Sequence, residues 1–219
     1  MRIILVRHGE TLSNRERLAL GRADPPLSDL GLRQAGALAA ALVREVPGPP
    51  EAVYSSPLLR ARQTAEAITG ALGLTPASVV EALTEMDVGE TDGLDPRQLR
   101  ERFPDFLRRW VDDLSGDLKM PGGESLGDVQ DRAWQAIESL RDSHAAEATV
   151  VAVSHNFVLH TIVCRVLSLP LAQFRSFQQD LASITAIEFR GRRALITRLN
   201  ETCHLAGVEL DPGRGEPWW

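Results

Sequence analysis

The stretch Arg2-Ile3-Ile4-Leu5-Val6-Arg7-His8-Gly9-Glu10-Thr11 decides how this chain is read. Its apolar run shows no alternation, which predicts a buried strand over Arg2 to Val6. Arg7 and His8 then stand at the strand's carboxyl end, with Gly9 directly behind them. Open α/β sheets take their ligands at such ends. Arginine offers a planar fork of N–H groups suited to phosphate. A neutral histidine is a competent nucleophile near neutral pH. The opening residues therefore suggest covalent chemistry on a phosphate. Alone, they also fit an ordinary surface pair over a turn.

Outward from this stretch, strand and helix patterns alternate. A loop with Gly21, Asp24, Pro25 and Pro26 leads to Ser28, which can cap a helix carrying Ala35, Leu38, Ala39, Leu42 and Val43. Pro47 to Pro50 stops that helix, and Ala52 to Ser55 reads as a short strand. Ser56 reads as an N-cap with Pro57 at the first helical position, and Gly73 marks the helix end. Val79 to Leu83 reads as a further strand. Across about 86–123 the strand pattern disappears, and Phe103, Phe106 and Trp110 at helical spacing predict a helical cap insertion. Ser125 with Asp128 resembles a capping box, Thr149 to Val153 is a strand, and a helix runs from about Phe157 to Leu167. Ile184 to Phe189 and Ala194 to Leu199 predict a hairpin around Gly191. The tail 207–219 lacks periodicity and is expected to be loosely ordered. This order predicts one α/β domain over 1–219, with a mainly parallel sheet, one antiparallel edge strand and helices on both faces.

Composition narrows the function classes. Of 219 residues, 43% are hydrophobic and 25% charged, as in an ordinary globular protein. A net charge of −6 argues against nucleic acid or an anionic membrane as partner, but not against a small anion met by a local arginine cluster. No apolar run reaches membrane-spanning length, and the opening residues do not read as a signal peptide. Cys164 and Cys203 lack metal-ligand spacing, and Cys164 falls in an apolar helical pattern. A reduced, cytoplasmic setting follows. The apolar face of the hairpin edge offers a surface for a homodimer.

Three predicted strand ends carry polar residues that packing does not require: Arg7-His8, Ser55-Ser56 leading to Arg60, and Ser154-His155-Asn156. Glu85 follows a fourth. Phosphoryl transfer needs an in-line nucleophile, cations for the equatorial oxygens and a proton for the leaving oxygen. His8 suits the first role, Arg7 and Arg60 the second, and Glu85 the third if burial or a neighbouring phosphate raises its pKa. His155, if protonated, adds a hydrogen bond, and Asn14 can donate an amide N–H. Gly21 and Asn156 complete the candidate phosphate-binding set. Each has a plainer reading alone: Arg60 as a solvated helix residue, His155 as a satisfied core histidine, Glu85 as one more surface acid. His160 reads as structural, and His144 and His204 have no evident partners.

The ordered set resembles the histidine phosphatase superfamily, in its phosphoglycerate mutase-like branch. The resemblance rests on Leu5 to Thr11 with Asn14, Leu27 to Gly31, Ser55 to Ala61 with Gln63-Thr64-Ala65, Leu83-Thr84-Glu85 with Gly89 and Gly93, Gly123-Glu124-Ser125, and Val153-Ser154-His155. It implies a three-layer α/β/α fold with a small helical cap, a phosphohistidine on His8, and a phosphate pocket of Arg7, Arg60 and His155 assisted by Asn14. Glu85 would be general acid and later activate water. No metal or organic cofactor is implied, since arginines supply the positive charge. Family mutases usually place an arginine directly after the acid and a tyrosine two residues further on. Here Met86, Asp87 and Val88 follow Glu85, so the resemblance favours a phosphatase for small phosphate esters. A phosphoglycerate mutase-type transferase and a phospho-ligand binding protein with little turnover are the alternatives.

Overall fold

A computed structural model describes residues 1–45, 49–113 and 115–208. In chain order the strands are β1 (Arg2–Arg7), β2 (Ala52–Ser55), β3 (Ser78–Val79), β4 (Thr149–Ser154), β5 (Ile184–Arg190) and β6 (Arg193–Glu201). The α-helices are α1 (Leu12–Arg15), α2 (Asp29–Glu45), α3 (Leu59–Leu72), α4 (Pro96–Arg102), α5 (Pro104–Asp112), α6 (Leu126–Ser143) and α7 (Asn156–Leu167). They build one six-stranded sheet in the order β3-β2-β4-β1-β5-β6. β3, β2, β4 and β1 pair in parallel, and the β5–β6 hairpin joins β1 antiparallel at one side.

The unbroken apolar run of β1 has a simple cause: both faces of the strand are covered. Ile3 and Leu5 pack with Val150 and Ala152 against α6 and α7. Ile4 and Val6 pack with Val151 and Val153 against α2 and α3. Two cores back to back make the three-layer α/β/α arrangement. Trp110, Met120, Met86 and Val88, all from 86–123, belong to the α6–α7 core. Trp110 stacks on Phe106 and meets Phe157 and Phe174 edge-on or tilted, so Phe106 and Trp110 pack inward, while the Phe103 ring lies under the Arg102 guanidinium.

Register sets the strand ends level. Arg7 is opposite Ser154 and Ser55 opposite Val153. One residue on, His8 N donates to Ser154 O at 3.1 Å and Ser56 N to Val153 O at 3.0 Å. The carboxyl ends of β1, β2 and β4 therefore open at one edge of the sheet.

The capping box at Ser125 and Asp128 forms, and Ser28 Oγ accepts from Gly31 N at 3.0 Å at the start of α2. Gly73 ends α3 in the left-handed region. Two local readings change. Val79 to Leu83 is not one strand: β3 stops at Val79, and Glu81–Leu83 form a 3₁₀ turn. The reason is β2, which ends at Ser55; Val80 N donates to Ser55 O, and the β2–β3 ladder goes no further. Ser56 does not cap α3, which begins at Leu59 after the extended Leu58. Its hydroxyl is engaged elsewhere. Of the tail 207–219, residues 209–219 lie outside the described residues, as do 46–48 of the expected helix stop. Among the described residues no helix is long and apolar enough to cross a membrane.

Candidate active site

His8 is the first residue past β1 and is almost fully buried. Its Nδ1 lies 2.7 Å from Gly9 O, and Arg60 Nε donates to its Nε2 at 3.3 Å. A carbonyl can only accept and a guanidinium can only donate. The proton therefore sits on Nδ1, and Nε2 presents its lone pair, the tautomer a nucleophile at Nε2 requires. Burial, with Arg60 and Arg7 close by, holds the His8 imidazole well below its ordinary value of 6.5, so it is neutral at physiological pH.

Arg60 stands in the first turn of α3 and is fully buried. Besides His8 it serves two carbonyls, Ala23 O at 2.7 Å and Gly21 O at 2.9 Å. Arg7 Nη1 donates to Gln179 O at 2.6 Å, while Arg7 Nε is buried without a partner. Burial pulls the Arg7 guanidinium down to about 10, far above physiological pH, so it remains a cation. The His155 ring lies 5.0 Å from that of His8. Its Nε2 is 2.7 Å from Ser56 Oγ, and its Nδ1 is buried and unpartnered. Burial and Arg60 hold His155 well below its ordinary value, so it is neutral rather than protonated. The pocket thus holds two buried cations and two unpartnered polar nitrogens. Glu85 with Asp180 acts on Arg7, and Glu85 with Asp24 and Asp92 acts on Arg60, offsetting part of their charge; a tetrahedral dianion would add direct pairing and take up the open nitrogens.

Glu85 is buried beyond the Glu81–Leu83 turn. Its Oε1 accepts from Met86 N at 2.8 Å and from Phe157 N at 3.2 Å. Burial raises its pKa above the ordinary 4.5, against the pull of those N–H groups, Arg60 and Arg7. Being raised by burial is what a carboxyl needs to hold a proton for a leaving oxygen.

The remaining sequence candidates divide. Asn14 Oδ1 accepts from Thr11 N and Thr11 Oγ1, so a bond from Asn14 to a ligand has to come from Nδ2. Gly21 does not offer its N–H to a phosphate, because that group donates to Asp92 Oδ1 at 3.0 Å. Gly21 acts on Arg60 instead. A side chain there would place Cβ 2.7 Å from Met86 O, so only glycine lets the loop lie this close. Asn156 opens α7, and its carbonyl lies 2.8 Å from His160 Nδ1. His160 is packed against Phe177 and Phe174, as a structural histidine is. His144 and His204 do have partners: Tyr54 and Glu51 for the first, Ala182 O for the second.

Sequence reasoning misses several supports. Ser56 belongs to the motif but reads as a cap. Gln179 contributes through its backbone, which carries no side-chain signal. Asp92 ties down Gly21 N and Ala23 N, the loop whose carbonyls hold Arg60. Among the described residues no group of three or more His, Cys, Asp or Glu side chains is placed to hold a metal ion.

Comparison with known proteins bears on the family and the fold. Residues 3–202 match the model of the histidine phosphatase superfamily (branch 1). The chain is 37% identical over 205 residues to Phosphoserine phosphatase 1 of Hydrogenobacter thermophilus, covering 94% of both proteins. It is 34% identical over 208 residues to the Metal-independent phosphoserine phosphatase of Arabidopsis thaliana, covering 94% of this chain and 84% of that one. The solved structure of Bacillus stearothermophilus YhfR superposes with a TM-score of 0.84 at 31% identity, over 93% of this chain and 98% of the other.

Proposed function

The chain belongs to the histidine phosphatase superfamily, and we propose that it is a metal-independent phosphatase of small phosphate esters that works through a phosphohistidine on His8. Arg7, Arg60 and His155 bind the phosphoryl group, Asn14 assists through Nδ2, and Glu85 is the acid. The observation that carries this reading is the His8 ring, with Nδ1 committed to Gly9 O and Nε2 set against a buried guanidinium.

In the first step the Nε2 lone pair forms a bond to phosphorus as the ester P–O bond breaks, and the Glu85 proton passes to the departing oxygen. In the second, the Glu85 carboxylate takes a proton from water whose oxygen attacks phosphorus. The P–N bond breaks, Nε2 recovers its lone pair, and inorganic phosphate leaves. The arginines neutralise charge on the equatorial oxygens throughout. The stretch 86–123 is proposed as the cap beside the cleft, and the cytoplasm as the compartment, since both cysteines are free thiols. Phosphoserine heads the substrate candidates, on the names of the relatives. Met86 and Val88, where mutases carry the arginine and tyrosine, are fully buried and offer no cation to a second anionic group.

The test is phosphate release from phosphoserine, 3-phosphoglycerate and p-nitrophenyl phosphate in EDTA. Release undiminished by EDTA is the expected result, and dependence on added Mg²⁺ would overturn the mechanism. The pH profile follows from the two shifts. His8 acts neutral and its pKa is lowered, so activity is lost only as pH falls below that lowered value. Glu85 acts protonated and its pKa is raised, so activity is lost as pH rises through that raised value. Glu85→Gln should remove the alkaline limb and slow alkyl esters on the order of 10²-fold or more. A Glu85→Gln protein that keeps an unchanged alkaline limb would exclude Glu85 as the acid.

A further inference from the structure

Arg132, in the second turn of α6, touches none of the phosphate-binding groups, yet every N–H it owns is committed. Nε donates to Glu124 Oε1 at 2.8 Å and Nη2 to Glu124 Oε2 at 3.0 Å, a two-point clasp of one carboxylate. Nη1 donates to Ala82 O at 2.8 Å and to Thr84 O at 2.7 Å, and Nη2 also reaches Glu85 O at 3.2 Å. Five N–H groups meet five acceptors. Three of those acceptors are carbonyls of the segment that delivers Glu85. The carbonyl between them, Leu83 O, is held by Ser154 Oγ at 2.7 Å.

Glu124 closes the other side. Its Oε2 accepts from Asp87 N at 2.8 Å, and its own N donates to Asp87 O at 2.8 Å. Arg22 approaches the same oxygen at 3.5 Å. The close approach needs Gly123, where a Cβ would fall 2.2 Å from Asp87 O. The backbone is therefore gripped before Glu85 and two residues after it. The Glu85 carboxylate itself is met by two N–H groups, those of Met86 and Phe157, and its place depends on where the backbone puts it.

We propose that Arg132 and Glu124 are positioning residues for the proton donor, fixing Glu85 against the leaving oxygen without touching the substrate. The proposal rests on the reading of Glu85 as the acid. The nucleophile and phosphate pocket have other supports: Gly9 O for His8, Gln179 O for Arg7, Gly21 O and Ala23 O for Arg60. Loosening the clasp should therefore damage proton donation and spare phosphate binding. Lysine cannot replace the fork, having three donors radiating from one point.

The experiment compares kcat/KM for phosphoserine, whose alkoxide leaves poorly, with that for p-nitrophenyl phosphate, whose phenolate leaves with little protonation. Inhibition by inorganic phosphate is measured alongside. Arg132→Lys should lower phosphoserine turnover on the order of 10²-fold, the scale of a misplaced catalytic group, with the aryl ester and phosphate inhibition nearly unchanged. Glu124→Gln should shift the same ratio in the same direction, and it carries the test if Arg132→Lys fails to fold. In a Glu85→Gln background Arg132→Lys should add no further loss in the ratio, since the group it positions is gone. Equal losses on both esters, or an unchanged ratio in either variant while Glu85→Gln lowers it, would overturn the positioning role and leave the acid in place. A Glu85→Gln protein whose own ratio is unchanged would overturn both readings.

Discussion

His8→Ala is expected to abolish phosphate release, with a loss in kcat on the order of 10⁴–10⁶-fold, the range for removal of a nucleophile. The substitution removes the atom placed to attack, Nε2, whose lone pair is kept available by the Nδ1 contact with Gly9 O. His155 is a separate ring 5.0 Å away, its Nε2 paired with Ser56 Oγ and its Nδ1 open, so labelling of the variant tests whether it can stand in. The fold should survive, because His8 joins the sheet through backbone groups that alanine keeps: its N–H to Ser154 O and its carbonyl to Ala182 N. Unchanged circular dichroism together with lost turnover is the expected pair of results. Inorganic phosphate should still bind, since Arg7, Arg60 and His155 remain. Rapid acid-free quenching with labelled substrate should trap a phosphorylated wild-type chain and an unlabelled variant. A variant that still becomes labelled would move the nucleophile to another residue.

What can be read from the sequence follows a physical rule. β1 is legible because a strand covered on both faces must be apolar at every position, and Ile3 to Val6 divide between two cores. The site is legible because a parallel sheet brings its carboxyl ends to one edge, so Arg7-His8, Ser55-Ser56 and Ser154-His155 have to converge once the strands are placed. Groups acting through the backbone leave no trace. Gln179 and Ala23 hold the two arginines by carbonyls, which any residue would offer. Ser56 is ambiguous because a hydroxyl can both accept and donate: it accepts from Leu58 N, as a turn serine does, and pairs with His155 Nε2. Arg132 is invisible for a different reason. Its spacing places it off the apolar stripe of α6, where an arginine normally faces water, and only the tertiary fold brings the Ala82–Glu85 carbonyls to that side. The strand expected over Val79 to Leu83 is too long because apolar residues continue through Val80 and Leu83 after the pairing partner has ended.

Arg60→Ala is expected to cost on the order of 10³–10⁵-fold in kcat/KM, the scale of a charge-stabilising arginine in phosphoryl transfer. It differs from His8→Ala in what fails. Arg60 serves the nucleophile, Ala23 O and Gly21 O at once, and the loop bearing those carbonyls is tied back through Asp92 and through Asp24, which accepts from Leu59 N at 2.6 Å. Alanine leaves two carbonyls without their donor and a void where a fully buried side chain stood. Inhibition by inorganic phosphate should weaken sharply, whereas His8→Ala should keep it, so the pair of variants separates binding from attack. Arg60→Met keeps much of the buried volume and removes the charge, which isolates the electrostatic part. Burial and the Arg60 charge both disfavour protonation of His8, with Arg7 adding to them. Without that charge the imidazole protonates more readily, its pKa rises toward 6.5, and the acid limb of activity moves to higher pH. Burial alone would leave the limb where it stands in the methionine variant, so the position of that limb in kcat/KM decides whether the guanidinium keeps the nucleophile neutral.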